Sequence, residues 1–319
     1  MLIVKEIPVP LDSRHELVKH DVLPNHEFSI GIVAPKGSGK TTLICNLLNY
    51  YKGYFHTIIV FSPTVNNDEK WDWVKKQSLL AENKRLKKVL MKIKNKQQKK
   101  KLENPVVGPP PTEGVPEEME PDEFSPFIPE ECFMADYQEE DLQQIVQEQQ
   151  KLIDFLKKNG FTKHSANRVL LLFDDLVGSN LFSGARKNPF KMLNTNHRHL
   201  SCSLMMVSQA FKEIPKTVRT QFSCLVLFEI LSDGELEAIY NEFPMGLKKD
   251  QWLEMYTEAT HGDHDFLFYN MQKPKRLRLM KNFNKVLFFA YFFLFQEFFN
   301  FSSNGSFLII ENQIFKSKE

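Results

Sequence analysis

Residues 34–41 read Ala34-Pro35-Lys36-Gly37-Ser38-Gly39-Lys40-Thr41, between the apolar run FSIGIV (28–33) and TLICNLLNYY (42–51). A loop that wraps a phosphate must turn its backbone N–H groups inward, which demands small residues with permissive dihedrals. It also needs a Lys that reaches the β- and γ-oxygens, a hydroxyl for Mg²⁺, and a helix N-terminus facing the anion. Gly37, Gly39, Lys40 and Thr41 supply these between an expected strand and an expected helix. The usual pattern opens on Gly where this chain has Ala34, and Ala keeps that position small. Ala34, Pro35, Lys36, Gly37, Ser38, Gly39, Lys40, Thr41 and Thr42 are therefore the candidate nucleotide-binding residues, with ATP and Mg²⁺ as expected cofactors.

Outward from this loop, further short apolar runs occur at TIIVFSPT (57–64), RVLLLFDD (168–175), SLMMVSQ (203–209) and CLVLFEI (224–230). Strands buried on both faces of a parallel sheet read as such near-continuous runs. The fold class expected is α/β, a P-loop NTPase with a mostly parallel central sheet covered by helices. Between the second and third runs lies an insertion at about 75–126. Its first part, 75–101, is strongly basic with Leu86, Val89, Leu90 and Ile93 at helical spacing, and reads as a projecting amphipathic helix. Its second part, 104–126, is proline-rich and acidic, and reads as a disordered linker. A further helix is expected before Gly160.

The division expected is an ATPase domain over 1–280 and a Phe-rich tail over 281–319. The run VLFFAYFFLF (286–295) is broken by Gln296 and Glu297, short of the roughly 20 apolar residues a membrane span requires. A buried or partner-facing helix, a non-native end and a membrane segment all stay open for it, the last least favoured.

An apolar strand ending in an acid places a carboxylate beside a phosphate loop, where it can hold Mg²⁺. Asp174 fits that role as a metal ligand together with Thr41. Asp175 stands where many ATPases carry a Glu that polarises the attacking water, one methylene longer. The bland alternative is that the two aspartates cap the next helix. Gln209, ending the neighbouring strand, can contact the γ-phosphate or merely bond to loop backbone, with Ser208 the weaker candidate. Arg198 and Arg219 are candidates for a cation supplied to a neighbour's site, and each could equally be a surface or ion-paired residue.

The chain has 319 residues, a formal net charge of +1 and four cysteines without CxxC spacing. These values exclude a global basic field and a disulfide scaffold. The N-terminus lacks the order of a secretory signal, which suggests an intracellular protein.

In this order, APKGSGKTTL, IIVFSPT, LLLFDDL, NHRHLSCSLMMVSQAFKEIPKTVRTQF and EAIYNEFPMGLKKDQWLEMYTEATHGDHDFLFYN resemble the DNA-packaging ATPases of poxviruses and other large DNA viruses. These belong to the FtsK–HerA superfamily of P-loop motors. The resemblance covers roughly residues 25–280 apart from the insertion. It implies an RecA/FtsK-like fold, nucleotide binding by Lys40 and Thr41, Mg²⁺ on Asp174, acid–base chemistry at Asp175 and γ-phosphate sensing by Gln209. It also implies that Arg198 or Arg219 completes a neighbour's site in a homo-oligomeric ring, with double-stranded DNA and capsid proteins as partners and no membrane. Two other readings stay open: another P-loop ATPase, helicase-like or AAA-type, and a domesticated nucleotide-binding copy without turnover.

Overall fold

Each of the apolar runs forms a strand. In the computed structural model, residues 21–103, 132–176, 178–182, 188–289 and 307–311 are described. The strands β1 (Ser29–Val33), β2 (Thr57–Phe61), β4 (Val169–Asp174), β5 (Cys202–Ser208) and β6 (Cys224–Phe228) are buried along their whole length. The two-residue β3 (Phe133–Met134) is only half-buried, at an edge. These six pair in parallel in the order β6-β1-β5-β4-β2-β3.

Helices cover both faces, which explains why alternate residues of one strand are all apolar. On one face Ile30, Ile32, Val60, Leu172 and Val207 pack under α1 (Lys40–Tyr50) and α2 (Glu69–Lys76) through Ile44, Leu47, Trp71 and Val74. On the other, Phe61, Phe173, Leu204 and Leu227 meet α4 (Glu139–Lys158), α5 (Pro189–Asn196), α7 (Asp233–Glu242) and α8 (Lys249–Thr260). Phe61 and Phe173 stack at 5.3 Å between centroids. Such a pair adds about 1 kcal/mol beyond burial. Gly31 has no room for a side chain: a Cβ there would lie 2.3 Å from the Phe222 ring.

The first half of the basic helix α3 (Lys84–Glu103) does not project. Its Leu86, Val89 and Ile93 pack on Leu152, Ile153, Phe155 and Leu156 of α4. The side chain of Asn83 caps it, accepting from Leu86 N at 2.9 Å and donating to the Ser165 and Ala166 carbonyls. An apolar stripe of this kind is worth about 1.5–3 kcal/mol per fully buried side chain, enough to dock a helix that is otherwise strongly basic. The linker expected over 104–126 lies outside the described residues. The helix expected before Gly160 is α4, and Gly160 takes the left-handed conformation, φ 81°, that follows its end.

The sheet continues beyond residue 280. Strand β7 (Phe266–Asn270) runs antiparallel to β6, and β8 (Leu279–Lys281), β9 (Lys285–Phe289) and β10 (Phe307–Glu311) extend it by successive antiparallel pairings. The start of the Phe-rich run is thus a strand with Val286 and Leu287 buried. Residues 290–306 and 312–319 lie outside the described set. No helix among the described residues is long and apolar enough to cross a membrane.

Candidate nucleotide-binding site

The loop after β1 closes on itself and opens toward α1. Ala34 is buried and its N–H donates to the Ser208 carbonyl at 3.0 Å, tying the loop's start to the end of β5. Ser38 donates from both its backbone N–H and its hydroxyl to the Pro35 carbonyl. Gly37 and Gly39 sit at φ 85° and 95°, a region that L side chains rarely adopt. Helix α1 begins at Lys40 without a side-chain cap and without an acid in its first turn. Its first N–H groups and the positive end of its dipole are therefore left for an anion.

The twin aspartates stand directly opposite. Lys40 Nζ lies 3.3 Å from Asp174 Oδ1 and 3.4 Å from Asp175 Oδ2. Asp174 is 2% exposed. Burial pushes its carboxyl above the usual range, against the opposing pull of Lys40 and of the Ser62 hydroxyl, which donates to Oδ2 at 2.8 Å. Asp175 has a left-handed backbone, φ 53°, tolerated best by Asp and Asn, and its N–H donates to Val207 O. Its Oδ2 also accepts from Gln209 Nε2 at 2.7 Å. Ser208 is turned away, donating to Glu213 Oε2 at 2.7 Å. The strand register explains the meeting: Asp174 pairs with Val207, and Val33 with Ser208, so the three chain ends leave the sheet at one level.

A cleft of about 860 Å³ opens over these groups, with Lys36, Lys40, Thr41, Thr42, Asn46, Asp175, Gln209 and His264 among its lining. That volume falls within the range of cofactor-sized sites. The residues fit a magnesium ion: Asp174 Oδ1 is a buried oxygen without a hydrogen-bond donor, its one close neighbour being the Lys40 ammonium. A dry carboxylate oxygen and the Thr41 hydroxyl of the cleft lining are hard-oxygen donors of the kind Mg²⁺ takes together with substrate phosphates.

The two arginines are placed differently. Arg219 is buried, with Nη2 donating to Glu242 Oε1 at 2.7 Å, Nη1 to the Phe211 carbonyl, and its guanidinium 4.2 Å over the Phe211 ring. It is an internal ion pair, not an arm offered outward. Arg198 is exposed in the turn before β5, at the opposite end of the sheet from the cleft. It does not reach its own chain's site.

Two residues near the site had no assigned role in the sequence. Ser62 follows β2 beside β4 and supports Asp174; the polar residue after a strand that singled out Gln209 was equally visible there. His264 comes from the α8–β7 loop, and its Nδ1 donates to the Ser38 carbonyl at 3.0 Å. A Cβ at Gly39 would lie 3.1 Å from that ring nitrogen. No short-range pattern announces a contact across 226 residues. The loop is braced from β8 and the turn after it: Lys281 Nζ reaches Asp265 Oδ2 at 2.7 Å, and Asn282 donates to Oδ1.

The family model described as Poxvirus A32 protein matches residues 16–105 and 119–263, well over half of the chain. No curated protein is similar enough to count as a match. Among solved structures, the genome packaging NTPase B204 from Sulfolobus turreted icosahedral virus 2, in complex with AMPPCP, is 14% identical with a TM-score of 0.47, covering 81% of this chain and 98% of that one. The DNA-packaging ATPase B204 from Sulfolobus Turreted Icosahedral Virus is 14% identical with a TM-score of 0.43, at the same coverage. The pCW3 conjugation coupling protein TcpA is 11% identical with a TM-score of 0.45, covering 80% of this chain and 59% of that one. The likeness to poxvirus packaging ATPases read from APKGSGKTTL, LLLFDDL and the segments around them is thereby borne out: the chain belongs to the Poxvirus A32 protein family.

Proposed function

We propose that this chain is an ATP-hydrolysing motor of the genome-packaging type that moves double-stranded DNA, acting as a ring of like copies with capsid proteins as partners. The observation that carries the reading is Lys40 Nζ held between Asp174 and Asp175 at the mouth of a nucleotide-sized cleft.

In this reading the loop from Ala34 to Thr42 cradles the phosphates with its N–H groups, and Lys40 exchanges its two carboxylates for β- and γ-oxygens. Thr41 and Asp174 would hold Mg²⁺, which when bound would supply positive charge to the phosphoryl oxygens. Asp175 orients the attacking water and takes its proton as the bond between the γ-phosphorus and the bridging oxygen breaks, giving ADP and phosphate. Gln209, already bonded to Asp175, is placed to exchange that bond for one to the γ-phosphate or its water. Ser62 holds the Asp174 carboxylate by one oxygen, and the other faces the Lys40 ammonium. Arg198, exposed and remote from its own cleft, is the arginine we assign to a neighbour's site.

The test is ATP turnover by the full chain with and without duplex DNA, with the oligomeric state measured in the same sample. Turnover that DNA accelerates, and that Lys40→Ala lowers by three orders of magnitude or more, is the expected result. ATP bound without turnover would instead make this a nucleotide-binding copy. Turnover indifferent to DNA would make it another kind of P-loop ATPase.

A further inference from the structure

The α3 helix has one face explained and one face not. Leu86, Val89 and Ile93 are consumed by α4. On the exposed surface, Lys84, Lys88, Lys92 and Lys96 recur at intervals of four residues, with Lys99 three further on. Side chains four apart stack along one side of a helix at about 6 Å of rise per step, so this row is about 22 Å long. From Lys84 to Leu102 the sequence contains no carboxylate at all. At the start of the helix Glu82 takes Lys87 at 2.7 Å and also lies near Lys84. No ion pair within the described fold accounts for Lys88, Lys92, Lys96 and Lys99.

Keeping such a row is unfavourable. Like charges at i,i+4 destabilise a helix by some tenths of a kcal/mol per pair, and the same positions filled by Gln or Glu would serve solubility as well. The row is also local: the whole chain carries only +1, with 41 basic and 40 acidic residues, so this density is not a consequence of a basic protein. Its place matters too. Asn83 ties the start of α3 to Ser165 and Ala166, just before β4 begins. The row therefore starts at the end of the sheet away from the nucleotide cleft, where Arg198 is also exposed.

We infer that the exposed lysine row of α3 is a docking surface for the phosphate backbone of duplex DNA, separate from any contact made by the motor's nucleotide-bearing edge. The inference rests on the proposed DNA-moving function. Duplex DNA carries about one charge per 1.7 Å of axis with both strands counted, so the 22 Å of duplex beside the row holds about a dozen phosphates, part of them on the facing side. Lysines on flexible stems neutralise these as point charges without reading sequence. The surface acts as an affinity element that holds DNA without regard to its bases, and it does not touch ATP.

The experiment compares the full chain with its K84Q/K88Q/K92Q/K96Q variant in duplex binding across a salt series and in DNA-free ATP turnover. Gln preserves helix propensity and length, and none of the four residues lies in the nucleotide site. The variant is expected to keep DNA-free turnover and thermal stability. Its slope of log affinity against log salt is expected to be shallower by about 3 to 4, and its affinity at 0.1 M salt at least tenfold weaker. Two duplexes of different sequence should lose equally. Equal slopes for the two proteins would overturn the inference. The row would then belong to another occupant, a protein partner or the acidic run at 113–123 of this same chain. A wild-type chain that binds no duplex at all would instead remove the proposed function itself.

Discussion

The two halves of the sheet differ in how they are built and in what they give the site. The parallel half, β6-β1-β5-β4-β2-β3, supplies the phosphate loop, both aspartates, Ser62 and Gln209, all from the C-terminal ends of its strands. Among the described residues of the antiparallel half, β7 to β10, none has a part in the proposed phosphoryl chemistry. It supplies a support: Asp265, Lys281 and Asn282 fix the loop that lays His264 on Ser38. In the proposed reaction one half carries the chemistry and the other holds its loop in shape, so damage to the two should appear in different kinetic constants.

The largest effect on that contrast is expected at Asp175. Replacing it with Asn removes the proton acceptor while keeping the bond to Gln209 sterically possible. Single-turnover ATP hydrolysis should slow by about 10²–10⁴, the worth of a positioned general base. Nucleotide affinity should move only a few-fold. A variant that loses affinity and rate together would place Asp175 in binding and blur the division between the halves.

A smaller, differently shaped effect is expected at His264. Its backbone is left-handed, φ 63°, so Ala there would be strained as well as unbonded. Asn is tolerated in that conformation and can present an N–H where Nδ1 now donates. His264→Ala should raise KM for ATP about three- to tenfold, the worth of one hydrogen bond, with kcat within twofold. His264→Asn should recover most of the affinity. Loss of kcat with unchanged KM, in either variant, would show the antiparallel half reaching into the chemistry.

The smallest effect concerns pH. Burial alone would raise the Asp265 carboxyl, but Lys281 and Asn282 hold it below the usual carboxylate range. Its charge therefore stabilises the fold fully above the unfolded value of about 3.9, and that contribution is lost as pH falls through the lower folded value. Between pH 5 and pH 2 the wild type should lose more thermal stability than Asp265→Asn. Parallel melting curves across that range would show that the brace contributes no charge energy.

The same contrast explains what could be read in the chain beforehand. Strands buried on both faces are continuous apolar runs, so FSIGIV, TIIVF, VLLLFD and CLVLF were legible, as were the loop and the acids at their ends. Strand β8 is three residues, Leu279-Met280-Lys281, with only its centre buried, and carries no such signal. The fold was accordingly expected to stop near residue 280, where it in fact turns back through Asn282 and Phe283 into β9. Phe283 packs at 4.8 Å from both Phe266 and Phe268, a contact fixed by tertiary structure alone. In the same way, the apolar stripe of α3 was visible but its partner was not: helical spacing shows that a face will be buried, not against what. Arg219 and Arg198 were indistinguishable as letters, and only burial against Glu242 and Phe211 separates them.

The most direct measurement is a calorimetric titration of the full chain with a non-hydrolysable ATP analogue, with and without magnesium, repeated on Lys40→Ala and Asp174→Ala. One nucleotide per chain, tightened by magnesium in the wild type, bound weakly by Lys40→Ala and indifferent to magnesium in Asp174→Ala, is the predicted result. Undiminished, magnesium-tightened binding in both variants would mean that the lysine and the buried aspartate do not enclose a common ligand.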